Sequence, residues 1–236
     1  QLARLRFLTT TDFPPFNFLD PGGRLSGFHV DLARAICAEL GIAERCQIQA
    51  LPWGELQPAL EKGEGEAILA GIAVTAPNRA IYGFSRPYML FPARFVARRA
   101  VSLDEPLAEA LEGKRVGVIA GSTHEKMLRA YFANVTSVPY ETTDRMYQEL
   151  RDAKLDAAFG DGMQIASWLG SPQAQDCCRF AGGPYLAPEY LGQGLAIATS
   201  PENRAVVDAL DYALQAISAK GTMTELYLRY FPVGFF

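Results

Sequence analysis

The sequence predicts an α/β protein built as two lobes, each a mostly parallel sheet flanked by helices. Three observations carry that reading. Short apolar runs bounded by turn residues, such as Ala67–Val74 and Leu155–Gly160, read as strands buried on both faces. Segments with apolar residues at i, i+3, i+4 and i+7 alternate with them and read as helices with one buried stripe. The order is β-α-β-α-β up to about residue 90, and then the pattern restarts.

In the first half, Arg4–Thr9 alternates basic and apolar residues as a strand does and runs into a loop holding Phe13-Pro14-Pro15-Phe16. Gly22-Gly23 makes a turn. Ala33, Ile36, Cys37 and Leu40 mark a helix that Gly41 stops. Cys46–Ala50 reads as a strand, Leu56, Ala59 and Leu60 as a short helix ending near Gly63, and Ala67–Val74 as the third strand. In the second half the strands are Arg94–Arg99, Arg115–Ile119, Val135–Tyr140 and Leu155–Gly160. The helices between them put Leu128, Tyr131 and Phe132, and then Met146, Tyr147 and Leu150, inward, the latter capped by Thr143. A helix to Leu169 leads into a Gly/Pro-rich loop through Pro188. Leu195–Ala198 returns as a strand. Ser200-Pro201 starts a helix carrying Val206, Val207, Leu210, Leu214 and Ile217, and a last helix carries Met223, Leu226, Tyr227 and Tyr230. Residues 1–91 and 194–236 are therefore expected to form one lobe and 92–193 the other. Two tight joins would leave a hinge with a cleft beside it.

Of the 236 residues, 49% are hydrophobic and 20% charged, with a net charge of −4. No apolar run approaches the roughly 20 residues that cross a bilayer. Scattered basic residues argue against nucleic acid as a partner. The two histidines, His29 and His124, exclude a His-rich metal site, and no nucleophile–base pair is evident, so no metal, cofactor or catalytic residue is expected. The chain opens at Gln1 with no leader-like segment, as a trimmed secreted form would. Cys37 faces inward from its helix and Cys46 opens the next strand; the pair reads equally as a staple or as two buried thiols. Cys177-Cys178 matches neither a zinc nor a CxxC pattern and is a vicinal disulfide, a loop thiol beside a core thiol, or nothing functional.

Ligands of open α/β sheets bind outside the carboxyl ends of strands. Thr75 and Arg79 follow the Ala67–Val74 run, and a planar guanidinium suits a carboxylate, although a loop arginine is also often merely solvated. Thr123 opens a helix after a strand, where free backbone N–H groups suit an anion or the threonine simply caps. Asp161 ends a buried strand, where a carboxylate needs a partner or caps the next helix.

The chain resembles the family 3 extracytoplasmic solute-binding proteins, the amino-acid receptors of ABC importers. Phe13-Pro14-Pro15-Phe16, Gly27-Phe28-His29-Val30-Asp31-Leu32, Trp53 with Leu56–Gly63, Ala67–Tyr88, Gly113–Val118, Gly121-Ser122-Thr123, Asp156–Asp161 and Lys220-Gly221-Thr222 carry the resemblance in order and spacing. It implies a two-lobed periplasmic-binding-protein fold closing on an amino acid. It also implies a monomer, a periplasmic location, delivery to membrane permease subunits, and a Cys37–Cys46 disulfide. The ligand site it implies comprises Phe13 and Trp53 as aromatic walls, the segment holding Ala70, Gly71 and Ala73, Arg79, Ser122 and Thr123 toward the carboxylate, and Asp161 toward the ammonium. The sequence departs from the family where Ala70, Gly71 and Ala73 lack the usual hydroxyls. Thr10 replaces an acid common in binders of basic amino acids, which argues against Lys or Arg as ligand. His29 stands where an acid is common and reads as a surface or supporting group. Two rival readings share the scaffold: a cyclohexadienyl dehydratase using Asp161, Glu125 or His124 as acid, and a ligand-sensing module of a larger receptor or lytic transglycosylase.

Overall fold

A computed structural model describes residues 2–236. The chain begins with β1 (Leu5–Thr9), the short strands β2 (Asp12–Phe13), β3 (Asn17–Leu19) and β4 (Leu25–Ser26), and helix α1 (Phe28–Glu39). Then come β5 (Cys46–Ala50), α2 (Trp53–Glu61), β6 (Ala67–Ile68), the single-turn α3 (Ala76–Arg79) and β7 (Gly83–Phe84). A second series follows: β8 (Ala93–Arg98), α4 (Leu107–Ala110), β9 (Arg115–Ile119), α5 (Thr123–Tyr131), β10 (Thr136–Tyr140), α6 (Thr143–Arg151), β11 (Ala157–Asp161), α7 (Gly162–Leu169), β12 (Cys178–Tyr185) and α8 (Pro188–Leu191). The chain ends with β13 (Ala198–Thr199), α9 (Arg204–Ala219) and α10 (Thr222–Tyr230).

The chain divides into two compact units. The first holds the residues up to Leu90 together with 193–230; the second holds 91–192 and 231–236. The last six residues therefore belong with the second unit and not, as the sequence reading had it, with the first. Phe235 is fully buried there, and its carbonyl accepts a hydrogen bond from Arg94 Nη1 at 3.3 Å.

In the first unit the sheet order is β5-β1-β6-β13-β7, with β1 parallel to β5 and β6, and β13 antiparallel to β6 and β7. Phe7 and Leu8 of β1 and Ile68 of β6 are fully buried. One face is covered by α1, α9 and α10. Asp31 Oδ2 ties α10 to α1 by accepting from Arg229 at 2.9 Å and Tyr230 at 2.5 Å. In the second unit the order is β10-β9-β11-β8-β12, with β8 antiparallel to β11 and β12. Phe95, Phe132, Phe159 and Tyr185 pack edge-to-face and tilted in its core.

Several sequence expectations shift. The run Ala67–Val74 is buried except at Gly71 and the exposed Ala73, and contributes only β6 to the ladder; Gly71 adopts φ 91° and turns the backbone. Beyond that turn, Ala73 bridges Leu195 and Val74 N donates to Gly194 O at 2.9 Å. The expected loop before Pro188 contains β12, which pairs with β8. Thr142, not Thr143, caps α6; its hydroxyl accepts from Arg145 N. α9 starts at Arg204, since Ser200 donates to Glu202 and does not cap. Tyr131 is 52% exposed, where an inward position was expected.

Both cysteine pairs are bridged: Cys37 to Cys46, joining α1 to β5, and Cys177 to Cys178 at the start of β12. Among the described residues no helix is long and apolar enough to cross a membrane, and no group of side chains could hold a metal ion.

Candidate functional site

In the first unit, the segment after β6 leads into α3. Thr75 caps that turn; its Oγ1 accepts from Asn78 N at 3.2 Å, while Asn78 Nδ2 donates to Ala73 O at 2.8 Å. The loop shape is thereby fixed by its own polar residues. Arg79, on the last residue of α3, is exposed and donates through Nη2 to Gln193 Oε1 at 2.6 Å. That partner is neutral, so the guanidinium keeps its charge uncompensated there. Ala70 is buried among Leu8, Leu56 and Leu60, so its side chain belongs to the core and only its backbone can serve a ligand. Ala73 is exposed.

Phe13 stacks on Phe16 at 4.6 Å between centroids and lies against Gly71, where an added Cβ would stand 2.7 Å from Phe13 Cε1. Trp53, the first residue of α2, is 56% exposed, a large apolar surface that the core does not use.

Behind Gly71 runs a buried polar chain that the sequence did not reveal. Asn17 Nδ2 donates to Thr10 O at 3.0 Å and Thr10 Oγ1 at 2.7 Å. A carbonyl only accepts, so the amide's oxygen must face the other way, toward His29 Nδ1 at 2.6 Å. Nδ1 therefore carries the proton and Nε2 is bare. Tyr88 O–H donates to it at 2.7 Å. His29 is 1% exposed, and burial alone lowers its pKa to about 3, so it stays neutral. His29 is thus interior, which overturns the surface alternative. Its partners Asn17 and Tyr88 are far apart in sequence, and no local signal joins them.

In the second unit, Ser122 caps α5: its Oγ accepts from Glu125 N at 3.1 Å and donates to Ile119 O at 2.6 Å. Glu125 folds back onto Gly121 N at 2.7 Å and pairs with Arg129 at 2.6 Å. Ser122 and Glu125 are therefore occupied by the helix start. The amides of Thr123 and His124 have no hydrogen-bond partner among the described residues, leaving two first-turn donors for an anion.

Asp161 ends β11 and caps α7, accepting from Gln164 N at 2.8 Å through Oδ1. Cap and binding roles are compatible, since a carboxylate has four lone-pair positions. Burial raises its pKa, opposed by the Gln164 amide, by His124 and by the Met163 amide. Among the described residues no Lys or Arg pairs with it. The nearby His124 is held below the usual imidazole range, chiefly by burial, and its Nε2 is buried without a partner among the described residues.

Residues 5–233 match the family described as bacterial extracellular solute-binding proteins, family 3. The chain belongs to that family. It is 29% identical over 230 residues to the ABC transporter arginine-binding protein 1 of Escherichia coli, covering 97% of this chain and 91% of that one. It is also 29% identical over 231 residues to the histidine-binding periplasmic protein of Escherichia coli, covering 96% and 87%. Among solved structures, the unliganded open L-cystine solute receptor of Neisseria gonorrhoeae matches with a TM-score of 0.78 at 20% identity, covering 97% of this chain and 92% of that one. An arginine-specific periplasmic binding protein of Salmonella typhimurium matches with a TM-score of 0.55 at 28% identity, covering 97% and 100%. The relatives are solute-binding proteins, and the two-lobed periplasmic-binding-protein fold is shared.

Proposed function

We propose that this protein is the periplasmic receptor of an ABC importer and binds an amino acid, with Arg79 taking the α-carboxylate and Asp161 the α-ammonium. The observation that carries it is the pair of complementary charges without an ion-pair partner: an exposed guanidinium on a neutral glutamine, and a half-buried carboxylate that no Lys or Arg pairs with among the described residues. A zwitterion supplies both missing partners. Thr123 and the first-turn amides of α5 add donors for the carboxylate. Phe13 and Trp53 provide apolar walls, and the backbone of Ala70, Gly71 and Ala73 frames the segment. The protein works as a monomer and hands its solute to the permease subunits.

Thr10 replaces an acid and its hydroxyl already accepts from Asn17, so no carboxylate is offered there to a cationic side chain. Neutral amino acids therefore rank ahead of L-arginine, although several relatives are named for arginine. A thermal-shift panel of L-histidine, L-glutamine, L-cystine and L-arginine, followed by calorimetry, tests this. A shift with at least one is expected; no shift with any proteinogenic amino acid overturns the reading. The protein acts without turnover: incubation with prephenate or arogenate is expected to yield no product, and product formation would reassign it as a dehydratase. Glu125, engaged by Gly121 and Arg129, is out of the running as the acid in that case.

A further inference from the structure

We infer that Asn17 and His29 are positioning residues for the Phe13 ring: together they fix the turn Phe13–Phe16, so that this aromatic wall meets the solute already oriented. This rests on the reading that Phe13 borders the solute. Three features of the first unit carry the inference.

The first is the backbone of the turn. Phe16 N donates to Phe13 O at 2.8 Å and closes it. The carbonyls of its last two residues then run into the start of α1, where Phe28 N donates to Pro15 O at 3.0 Å and His29 N to Phe16 O at 2.8 Å. Gly27 permits this approach, since a Cβ there would stand 2.4 Å from Phe16 O. His29 thus holds the turn by its main chain. Its ring also packs beside the turn, with centroids 5.0 Å from Phe16 and 6.3 Å from Phe13.

The second is Asn17. It stands opposite Phe13 where β3 pairs with β2, and it is fully buried. Its side-chain amide holds Thr10, before the turn, at 3.0 and 2.7 Å; its side-chain oxygen holds His29, after the turn, at 2.6 Å. One side chain therefore ties together the two segments that flank the turn. Only the Nδ1–H tautomer of His29 serves this oxygen, and Tyr88 O–H at 2.7 Å occupies the other ring nitrogen. A proton on Nε2 instead would set a bare Nδ1 against the Asn17 oxygen, acceptor to acceptor. The asparagine and the histidine thus require each other.

The third is the ring itself. Phe13 is half-buried, with one face stacked on Phe16 at 4.6 Å and its Cε1 edge against Gly71. Phe16 is fully buried and set edge-on to Phe28 at 5.9 Å, so the ring beneath Phe13 is itself fixed. A ring with one face and one edge covered, on a backbone tied at both ends, has little freedom to adapt. A wall that does not adapt discriminates by side-chain shape, because a preorganised surface favours what already fits it. Phe13 then sorts solutes by side chain, apart from the charges that hold their α-amino and carboxylate groups.

The ligand-free arm of the test follows the Phe13 ring by NMR, through its proton shifts and its NOEs to Phe16, in the wild type, Asn17→Leu, His29→Leu and His29→Gln. Both Leu variants should lose the wild-type ring shifts and NOEs. Gln offers an N–H toward Asn17 and an oxygen toward Tyr88, so His29→Gln should keep them; a merely structural role predicts no such rescue. Nitrogen-15 shifts of wild-type His29 should show the Nδ1–H tautomer. Unchanged Phe13 signals in both Leu variants, or an Nε2–H tautomer, overturns the inference. Should the Leu variants fail to fold, Thr10→Val, which removes only the 2.7 Å bond, takes their place, and unchanged Phe13 signals there overturn it equally.

In the binding arm, L-histidine, L-glutamine and L-cystine are titrated into the wild type, Asn17→Leu, His29→Gln and Asp161→Asn. The affinity ratio between the best and the weakest of the three should shrink about tenfold in Asn17→Leu and persist in His29→Gln. Asp161→Asn should weaken all three alike and leave the ratio standing. A ratio unchanged in Asn17→Leu, or a wild type that binds all three within about threefold, sinks the positioning role and leaves the charge site intact. If none of the three binds the wild type, the proposed site has failed, and the ring signals decide the role of Asn17 and His29 by themselves.

Discussion

Asp161 caps α7 and, in the proposed site, would also face the solute. Its Oδ1 caps α7 through Gln164 N, so replacing it with alanine would remove a cap and a charge at once. Asp161→Asn separates the two, because an amide oxygen still caps. The expected result is a loss of solute affinity of at least about 100-fold, near 3 kcal/mol, with the unfolding midpoint little changed. Calorimetry of the best amino acid beside thermal unfolding of the free protein checks both halves. The pH dependence has a defined sign. Burial raises the Asp161 pKa, so the folded state takes up a proton more readily than the unfolded chain does. Its contribution to stability is therefore present at low pH and lost as pH rises through the raised value. Relative to Asp161→Asn, the wild type should gain stability as pH falls through that range, while its affinity for an amine-bearing solute declines. A pH-independent difference between the two proteins would contradict the assignment of the shift to this carboxylate. His29 runs the other way: its depressed pKa of about 3 means the unfolded chain binds the proton. The stability it contributes is present above about 6.5, its unfolded value, and is lost as pH falls from there toward about 3.

At the level of elements, the apolar run Ala67–Val74 illustrates what a sequence can and cannot convey. The burial of most of it was legible, because eight apolar residues flanked by Glu66 and Thr75 have no polar face to offer; the exposure of Ala73 was not. Its division was not. Two residues join the parallel ladder, Gly71 turns, and Ala73 and Val74 then pair with the returning segment at 194–195. That depends on a partner more than 100 residues away. For the same reason Asp161, Thr123 and Arg79 could be singled out from local context, as polar residues just past buried strands, whereas the Asn17–His29–Tyr88 chain could not. Its members sit on β3, on α1 and just before the crossing to the second unit, and only the fold brings them together. The glycine itself gives a test. Gly71→Ser restores a hydroxyl of the kind common in the family, yet its Cβ would lie 2.7 Å from the Phe13 ring in a backbone conformation that L residues resist. It should destabilise the protein by about 2 kcal/mol or more and abolish amino-acid binding. Adding Phe13→Ala should recover part of the stability but not the affinity. Tighter binding in Gly71→Ser alone would show that the segment is more plastic than these contacts allow.

For the whole molecule, the division into two units leads to the prediction that thermal unfolding shows two transitions, one for each unit. The cysteine bridges are distributed one to each: Cys37–Cys46 in the first unit, Cys177–Cys178 in the second. Closing the nine-residue separation between Cys37 and Cys46 removes about 2–3 kcal/mol of unfolded-chain entropy. The double variant Cys37→Ala/Cys46→Ala should therefore lower the calorimetric transition of the first unit and leave the second where it was. That variant labels the two transitions, and the label makes a sharper test of the proposed site possible. A solute present at 100 times its dissociation constant stabilises whatever binds it by about 2.7 kcal/mol. If Arg79 alone held the amino acid, only the transition sensitive to the Cys37–Cys46 bridge would move. If Asp161 alone held it, only the other would. Binding by charges from both units requires that neither unit unfold without releasing the solute, so saturating amino acid should raise both transitions and draw them together into one. Scanning calorimetry of the wild type, the double cysteine variant and Asp161→Asn, each with and without saturating solute, separates these cases. In Asp161→Asn the merging should be lost while any residual shift stays with the Arg79-bearing unit. Two transitions that remain separate in the wild type at saturation would confine the solute to one unit and discard the two-charge clamp.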